Sequence, residues 1–139
     1  METRLFTDDG EKDFVAVKTL KPPRADTLAT AHETAEREFL AEIELMKQLR
    51  HPNLVKLLGV CVEVRPFYMV LEFLKGGSLE DWLPENGAKM SAERLTHMLH
   101  QVALGFVALG NANIVHRDLA SRNVLIDEHL HIKVADYGR

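Results

Sequence analysis

The chain has a single cysteine, Cys61, among its 139 residues. An intramolecular disulfide and a zinc site built on cysteines are both excluded, and the chain fits a reducing compartment. Long hydrophobic runs are also missing. The longest apolar stretch, 102–109, contains Gly105 and is far too short to span a bilayer. The opening METRLFTDDG has no apolar segment of the kind a secretory signal needs. Basic residues are not in excess: 17 Lys and Arg stand against 21 Asp and Glu, for a net charge of −4. Such a chain is a poor non-specific partner for nucleic acid or an anionic membrane. No internal repeat and no low-complexity segment occurs. What is present is an ordinary globular balance of 46% apolar and 27% charged residues, enough for one modest domain with one core.

The first half alternates short apolar runs with turn residues. FVAVKTL (14–20) reads as a strand closed by Pro22 and Pro23. Over 34–49 the period becomes helical, with Phe39, Ile43, Met46 and Leu49 on one face. Glu33, Glu36 and Glu38 crowd its start, and Lys47 and Arg50 its end, as the helix dipole prefers. HPN (51–53) stops that helix. LVKLLGVCV (54–62) and FYMVLE (67–72) read as two strands joined across Arg65 and Pro66. KGGS (75–78) is a loop that offers Ser78 as N-cap to a short helix, LEDWL. Ser91 caps a longer helix whose apolar stripe is Leu95, Met98, Leu99, Val102 and Phe106, ending near Gly110. A polar loop, 116–123, then leads to VLI (124–126) and HIKVA (131–135), with DEHL suited to the turn between them. Strands early and helices later give an α+β class.

Three features fit poorly with a passive scaffold. Glu42 falls between Leu49 and Met46 on the helical wheel, inside the apolar stripe. Either it lies at an edge and reaches solvent, or it is buried and needs a cationic partner. Lys18 shares a strand face with the small Ala16, which leaves room for a flat ligand beside a positive charge; a solvated strand face is the plainer alternative. Finally, Asn123 precedes one strand of the last hairpin and Asp136 follows the other. An antiparallel pairing brings these two together, with Asp118 close by, and two oxygen donors at one point suit a hard cation such as Mg²⁺. Polar residues at strand ends on a surface are the alternative here.

Taken together, VAVK (15–18), HRDLASRN (116–123) and DYG (136–138) resemble the ordered motifs of the eukaryotic protein kinases. The resemblance covers nearly the whole chain and implies a partial protein-kinase-like fold. Residues 1–72 would belong to the small lobe, and 73–139 to the hinge, the first large-lobe helices, the catalytic loop and the start of the activation segment. It implies ATP and Mg²⁺ as cofactors. Lys18 would hold the α- and β-phosphates and Glu42 would pair with it. Leu71 resembles the gatekeeper. Glu72 and Leu74 would offer backbone groups to the adenine edge, and Ala16 and Leu125 would sandwich the ring. Asp118 would accept the substrate's hydroxyl proton, while Asn123 and Asp136 would bind magnesium. Met46, Leu57, His116 and Tyr137 match the stacked spine of the active state.

The residue two after Asp118 is Ala120, where kinases acting on serine and threonine usually carry lysine, and Arg122 lies four after it. That pattern is similar to tyrosine kinases, so the implied activity is transfer of the ATP γ-phosphoryl group to protein tyrosine. ATP and tyrosine-bearing proteins are the implied partners, with no nucleic acid and no membrane segment in this chain. The implied location is cytoplasmic, or the intracellular part of a larger receptor. Four departures stand against this. Gly10 is the only glycine before Lys18, so the Gly-rich loop is missing. The chain stops at Arg139, just after DYG. Tyr137 replaces the usual phenylalanine, adding a hydroxyl that needs a partner if buried. The stretch between Lys18 and Glu42 is longer than usual, which points to an insertion within 22–33. The isolated chain is therefore expected not to phosphorylate tyrosine at a useful rate. A truncated, non-catalytic binding or scaffold module of kinase fold is the competing expectation.

Overall fold

The structure, a computed structural model, describes residues 2–8, 11–20, 23–26, 28–116 and 119–137. Of the residues discussed above, Gly10, Pro22, Asp118, Gly138 and Arg139 lie outside that set. The chain divides into two compact units, Met1–Gln48 with Lys56–Phe73, and Leu49–Val55 with Leu74–Arg139.

The first unit is a four-stranded antiparallel sheet carrying one helix. Its strands are β1 (Glu2–Asp8), β2 (Glu11–Thr19), β3 (Leu57–Cys61) and β4 (Tyr68–Glu72), in the spatial order β1-β2-β4-β3. The expected strands are present with shifted ends: 14–20 becomes Glu11–Thr19, while 54–62 contributes only Leu57–Cys61, with an irregular register between Leu57 and Gly59. β1 was not legible from the sequence, because its stretch, ETRLFTD, mixes polar and apolar residues without clean alternation.

Helix α1 runs over Ala29–Gln48 and buries Phe39, Glu42, Ile43 and Met46. Its end matches the expectation to within a residue, but it begins five residues early. The added turns are polar and largely exposed, so no apolar period marks them. Within 22–33, where an insertion was expected, residues 29–33 are helix.

The second unit contains helix α2 (Leu79–Asn86), helix α3 (Ala92–Asn111) and a hairpin of β5 (Val124–Ile126) and β6 (Ile132–Val134). Both expected caps are made: Ser78 Oγ accepts from Asp81 N–H at 3.3 Å, and Ser91 Oγ accepts from Arg94 N–H at 3.2 Å. Each satisfies one of the orphan donors at a helix start. Met98, Val124, Ile126 and Ile132 form the core, with Leu79, Trp82, Leu95, Val102 and Leu130 packed around it.

The apolar stripe of α3 needs correction. Leu99 is 69% exposed. The buried line runs Met98, Gln101, Gly105, Leu109, so a glutamine and a glycine occupy positions that hydrophobicity alone awards to leucines. No described helix is long and apolar enough to cross a membrane.

Candidate active site

In the first unit, the antiparallel register sets Ala16 opposite Leu71 and Lys18 opposite Met69. Partners in register, and residues two apart on a strand, share a face, so these four side chains stand together. Ala16 and Leu71 are buried. Lys18 turns toward α1 and meets Glu42. Its Nζ donates to Glu42 Oε1 at 2.8 Å and to Oε2 at 3.0 Å. The side chains are 16% and 8% exposed respectively. The open alternative for Glu42 is thereby resolved: the carboxylate is buried and paired, which balances the cost of its desolvation.

Glu72 closes β4. Its N–H donates to Lys56 O at 3.0 Å, and its carboxylate accepts from Lys56 N–H at 2.7 Å.

In the second unit, the β5–β6 register pairs Val124 with Val134. Continuing it by one step, Ala135 N–H donates to Asn123 O at 2.8 Å. The backbones of Asn123 and Asp136 therefore stand at one end of the hairpin. Asn123 is buried and closes the single turn Ser121–Asn123, its N–H donating to Ala120 O. Asp136 has φ 52°, a left-handed conformation that aspartate tolerates better than most residues. The chain before it is fixed by a 2.9 Å bond between His116 Nε2 and Ala135 O. The chain after it is fixed by Tyr137, 1% exposed, whose hydroxyl donates to Val55 O at 2.7 Å. The extra hydroxyl noted in the sequence thus has its partner.

Leu125 is half-buried on the strand face away from the core, which Val124 and Ile126 fill. Arg122 is exposed, and Leu74 is buried with its carbonyl accepting from Gly77 N–H. Asp118 lies outside the described residues.

The carboxamide oxygen of Asn123 and the carboxylate of Asp136 are hard donors, the type that Mg²⁺ takes. Among the described residues no group of three or more His, Cys, Asp or Glu is placed to hold a metal. Magnesium does not need one, since one or two protein oxygens with phosphates and water complete its shell. The donor set fits.

Sequence reasoning missed the residues that hold the hairpin. Asn53, Gln101 and Gly105 all contact β6 or its flanks. A Cβ on Gly105 would stand 2.8 Å from both Asn53 O and Val134 Cγ2. A glycine inside a helix costs about 1 kcal/mol against alanine, and that cost was a usable signal for close packing.

Residues 1–138 match the family described as protein tyrosine and serine/threonine kinase. Tyrosine-protein kinase Abl of Drosophila melanogaster is 44% identical over 125 residues, which cover 89% of this chain and 7% of that protein. Tyrosine-protein kinase FRK of Homo sapiens is 43% identical over 125 residues, 89% of this chain and 23% of that protein. Ephrin type-B receptor 1 of Gallus gallus is 39% identical over 125 residues, 90% of this chain and 12% of that protein. The chain therefore spans less than a quarter of the length of each of these relatives. With the match running through nearly all of it, this chain belongs to the protein tyrosine and serine/threonine kinase family.

Proposed function

We propose that this chain carries catalytic machinery for transfer of the ATP γ-phosphoryl group to a protein tyrosine. The observation that carries this reading is the part-buried Lys18–Glu42 pair, its carboxylate inside the core face of α1. A fold has no structural need for a buried ion pair, since apolar residues of similar volume serve stability as well or better. A lysine ammonium held at a fixed point is what a polyphosphate needs.

Lys18 binds the α- and β-phosphates, and Glu42 keeps its ammonium aimed. Ala16 and Leu125 take the faces of the adenine ring, and Leu71 limits the depth available to it. Leu74 offers backbone groups to the adenine edge. Glu72 commits its N–H to Lys56, so its part in that contact falls to its carbonyl. Asn123 and Asp136 would hold Mg²⁺, which when bound neutralises charge on the phosphates. Asp118 accepts the proton of the tyrosine hydroxyl. As the phenolic oxygen bonds to the γ-phosphorus, the bond from that phosphorus to the β–γ bridging oxygen breaks and ADP leaves. Positioning and electrostatics do most of the work in such a transfer. Tyrosine rather than serine is supported by Ala120 and Arg122 in the loop after Asp118 and by the tyrosine-protein kinases among the relatives.

The test is a chimaera in which this chain replaces the matching segment of the human relative. With Mg-ATP and mixed acceptor polymers, it should phosphorylate tyrosine, and Lys18→Met and Asp118→Asn should each lower the rate by about 10²–10³-fold or more. Transfer to serine, or transfer indifferent to both substitutions, would overturn the reading.

A further inference from the structure

The hairpin that ends in Asn123 and Asp136 is gripped along both edges. Along β5, Gly76 N–H donates to Ile126 O at 2.8 Å and Ile126 N–H donates to Gly77 O at 2.9 Å. Along β6, Val134 N–H donates to Asn53 O at 2.8 Å and Val55 N–H donates to Val134 O at 3.0 Å. Side chains reinforce the β6 edge. Asn53 Nδ2 donates to Ile132 O, and Ile132 N–H donates to Gln101 Oε1, both at 2.9 Å. Two longer bonds of 3.4 Å join Asn53 Nδ2 to Gln101 Oε1 and Gln101 Nε2 to Leu130 O. Asn53 and Gln101 are both buried.

Two neutral amides thus bind both backbone groups of one strand residue. A primary amide presents a donor and an acceptor without charge, so the pair can lock a strand's register in a dry core at no Born cost. A one-residue slip of β6 would turn Ile132 and Val134 out of the core and carry Asp136 out of line with Asn123. Apolar packing alone penalises such a slip. It does not fix the smaller displacements along the strand that a metal ligand cannot tolerate.

We propose that Asn53 and Gln101 are positioning residues for the metal–nucleotide end of the hairpin, setting the register of β6 and thereby the placement of Asp136. This rests on the functional reading above, in which Asn123 and Asp136 hold the cation. Groups that orient metal ligands through hydrogen bonds carry large effects, with losses of about 10–100-fold in metal affinity when they are removed.

The probe is Mn²⁺, its binding to this chain followed by electron paramagnetic resonance with a non-hydrolysable ATP analogue present. Measurements are made where denaturation curves place each variant fully in its native state. Gln101→Met, of similar volume but without the hydrogen bonds, should weaken Mn²⁺ about tenfold or more. Gln101→Glu keeps an acceptor for Ile132 N–H and should recover most of that loss; it also serves if the methionine variant does not fold. Leu109→Ala, a buried truncation elsewhere on α3, should lower stability and leave Mn²⁺ affinity unchanged. Asp136→Asn should weaken Mn²⁺ strongly. If Asp136→Asn has its effect but Gln101→Met behaves like Leu109→Ala, or Gln101→Glu recovers nothing, the positioning role is wrong. If Asp136→Asn itself leaves Mn²⁺ binding intact, the cation assignment fails and the positioning role goes with it.

Discussion

The two units hold their functional groups by opposite means. In the first, a charged pair is prominent: Lys18 Nζ donates to both carboxylate oxygens of Glu42. In the second, Asn123 and Asp136 end a hairpin fixed by a lattice of neutral bonds from Asn53, Gln101 and the 76–78 segment. The difference follows from what each must hold. A lysine tip on a flexible stem needs a counter-charge to stay in place. A residue at a strand end goes wherever the strand goes, so the backbone is what must be fixed.

The largest effect should separate the two at once. Glu42→Ala removes the carboxylate that both hydrogen bonds from the part-buried Lys18 ammonium reach and should cost up to about 3–5 kcal/mol in urea denaturation. The double substitution Lys18→Met with Glu42→Leu should regain most of that stability while nucleotide binding stays lost. If the double variant is as unstable as the single one, the pair is structural and the contrast dissolves.

Next in size is the neutral lattice. Gln101→Met strips the partner from Ile132 N–H and should cost about 1–3 kcal/mol. Gly105→Ala drives a methyl against Asn53 O and Val134 Cγ2 and should cost a similar 1–3 kcal/mol, roughly, by overpacking. Hydrogen exchange should show the loosening at Ile132 and Val134 rather than in β2. Tyr137→Phe deletes the bond to Val55 O and should lower stability by about 0.5–1.5 kcal/mol.

The smallest effect belongs to an exposed pair. Arg65 contacts Glu36 at 2.6 Å. The hydrogen bond from Arg65 is the main cause that holds the Glu36 carboxyl below its ordinary value of 4.5. A carboxyl depressed in the folded state contributes stability above pH 4.5 and loses it as pH falls through its folded value. Arg65→Met should therefore lower stability slightly at neutral pH and not at all in strong acid, which flattens the acid limb of the stability curve by that small amount. A large loss at neutral pH would show that this pair resembles Lys18–Glu42 more than its exposure implies.

The same contrast explains what the sequence disclosed. Glu42 was half legible: a carboxylate inside an apolar stripe either escapes at an edge or needs a cationic partner, and only the family resemblance named Lys18 as that partner. Ser78 and Ser91 were legible as caps because their chemistry is local. Gln101 occupies its stripe as Glu42 does, but a neutral amide raises no alarm, and Leu99 beside it looked the better core residue. The start of α1 was hidden because its first turns pack little. Residues 49–55 illustrate a third obstacle: they are sequentially within the first half, yet they belong to the second unit through bonds to Val134 that no local pattern announces.

The most direct test of the account is chemical. An acyl-phosphate derivative of ATP transfers its acyl group to a lysine amine lying beside the bound phosphates and releases ATP. Treated with such a reagent and mapped by mass spectrometry, this chain should be acylated chiefly at Lys18. Excess Mg-ATP should suppress the labelling, and Glu42→Gln should weaken it. Labelling spread over the exposed lysines and indifferent to ATP would contradict the claim that Lys18 is held where a nucleotide's phosphates bind.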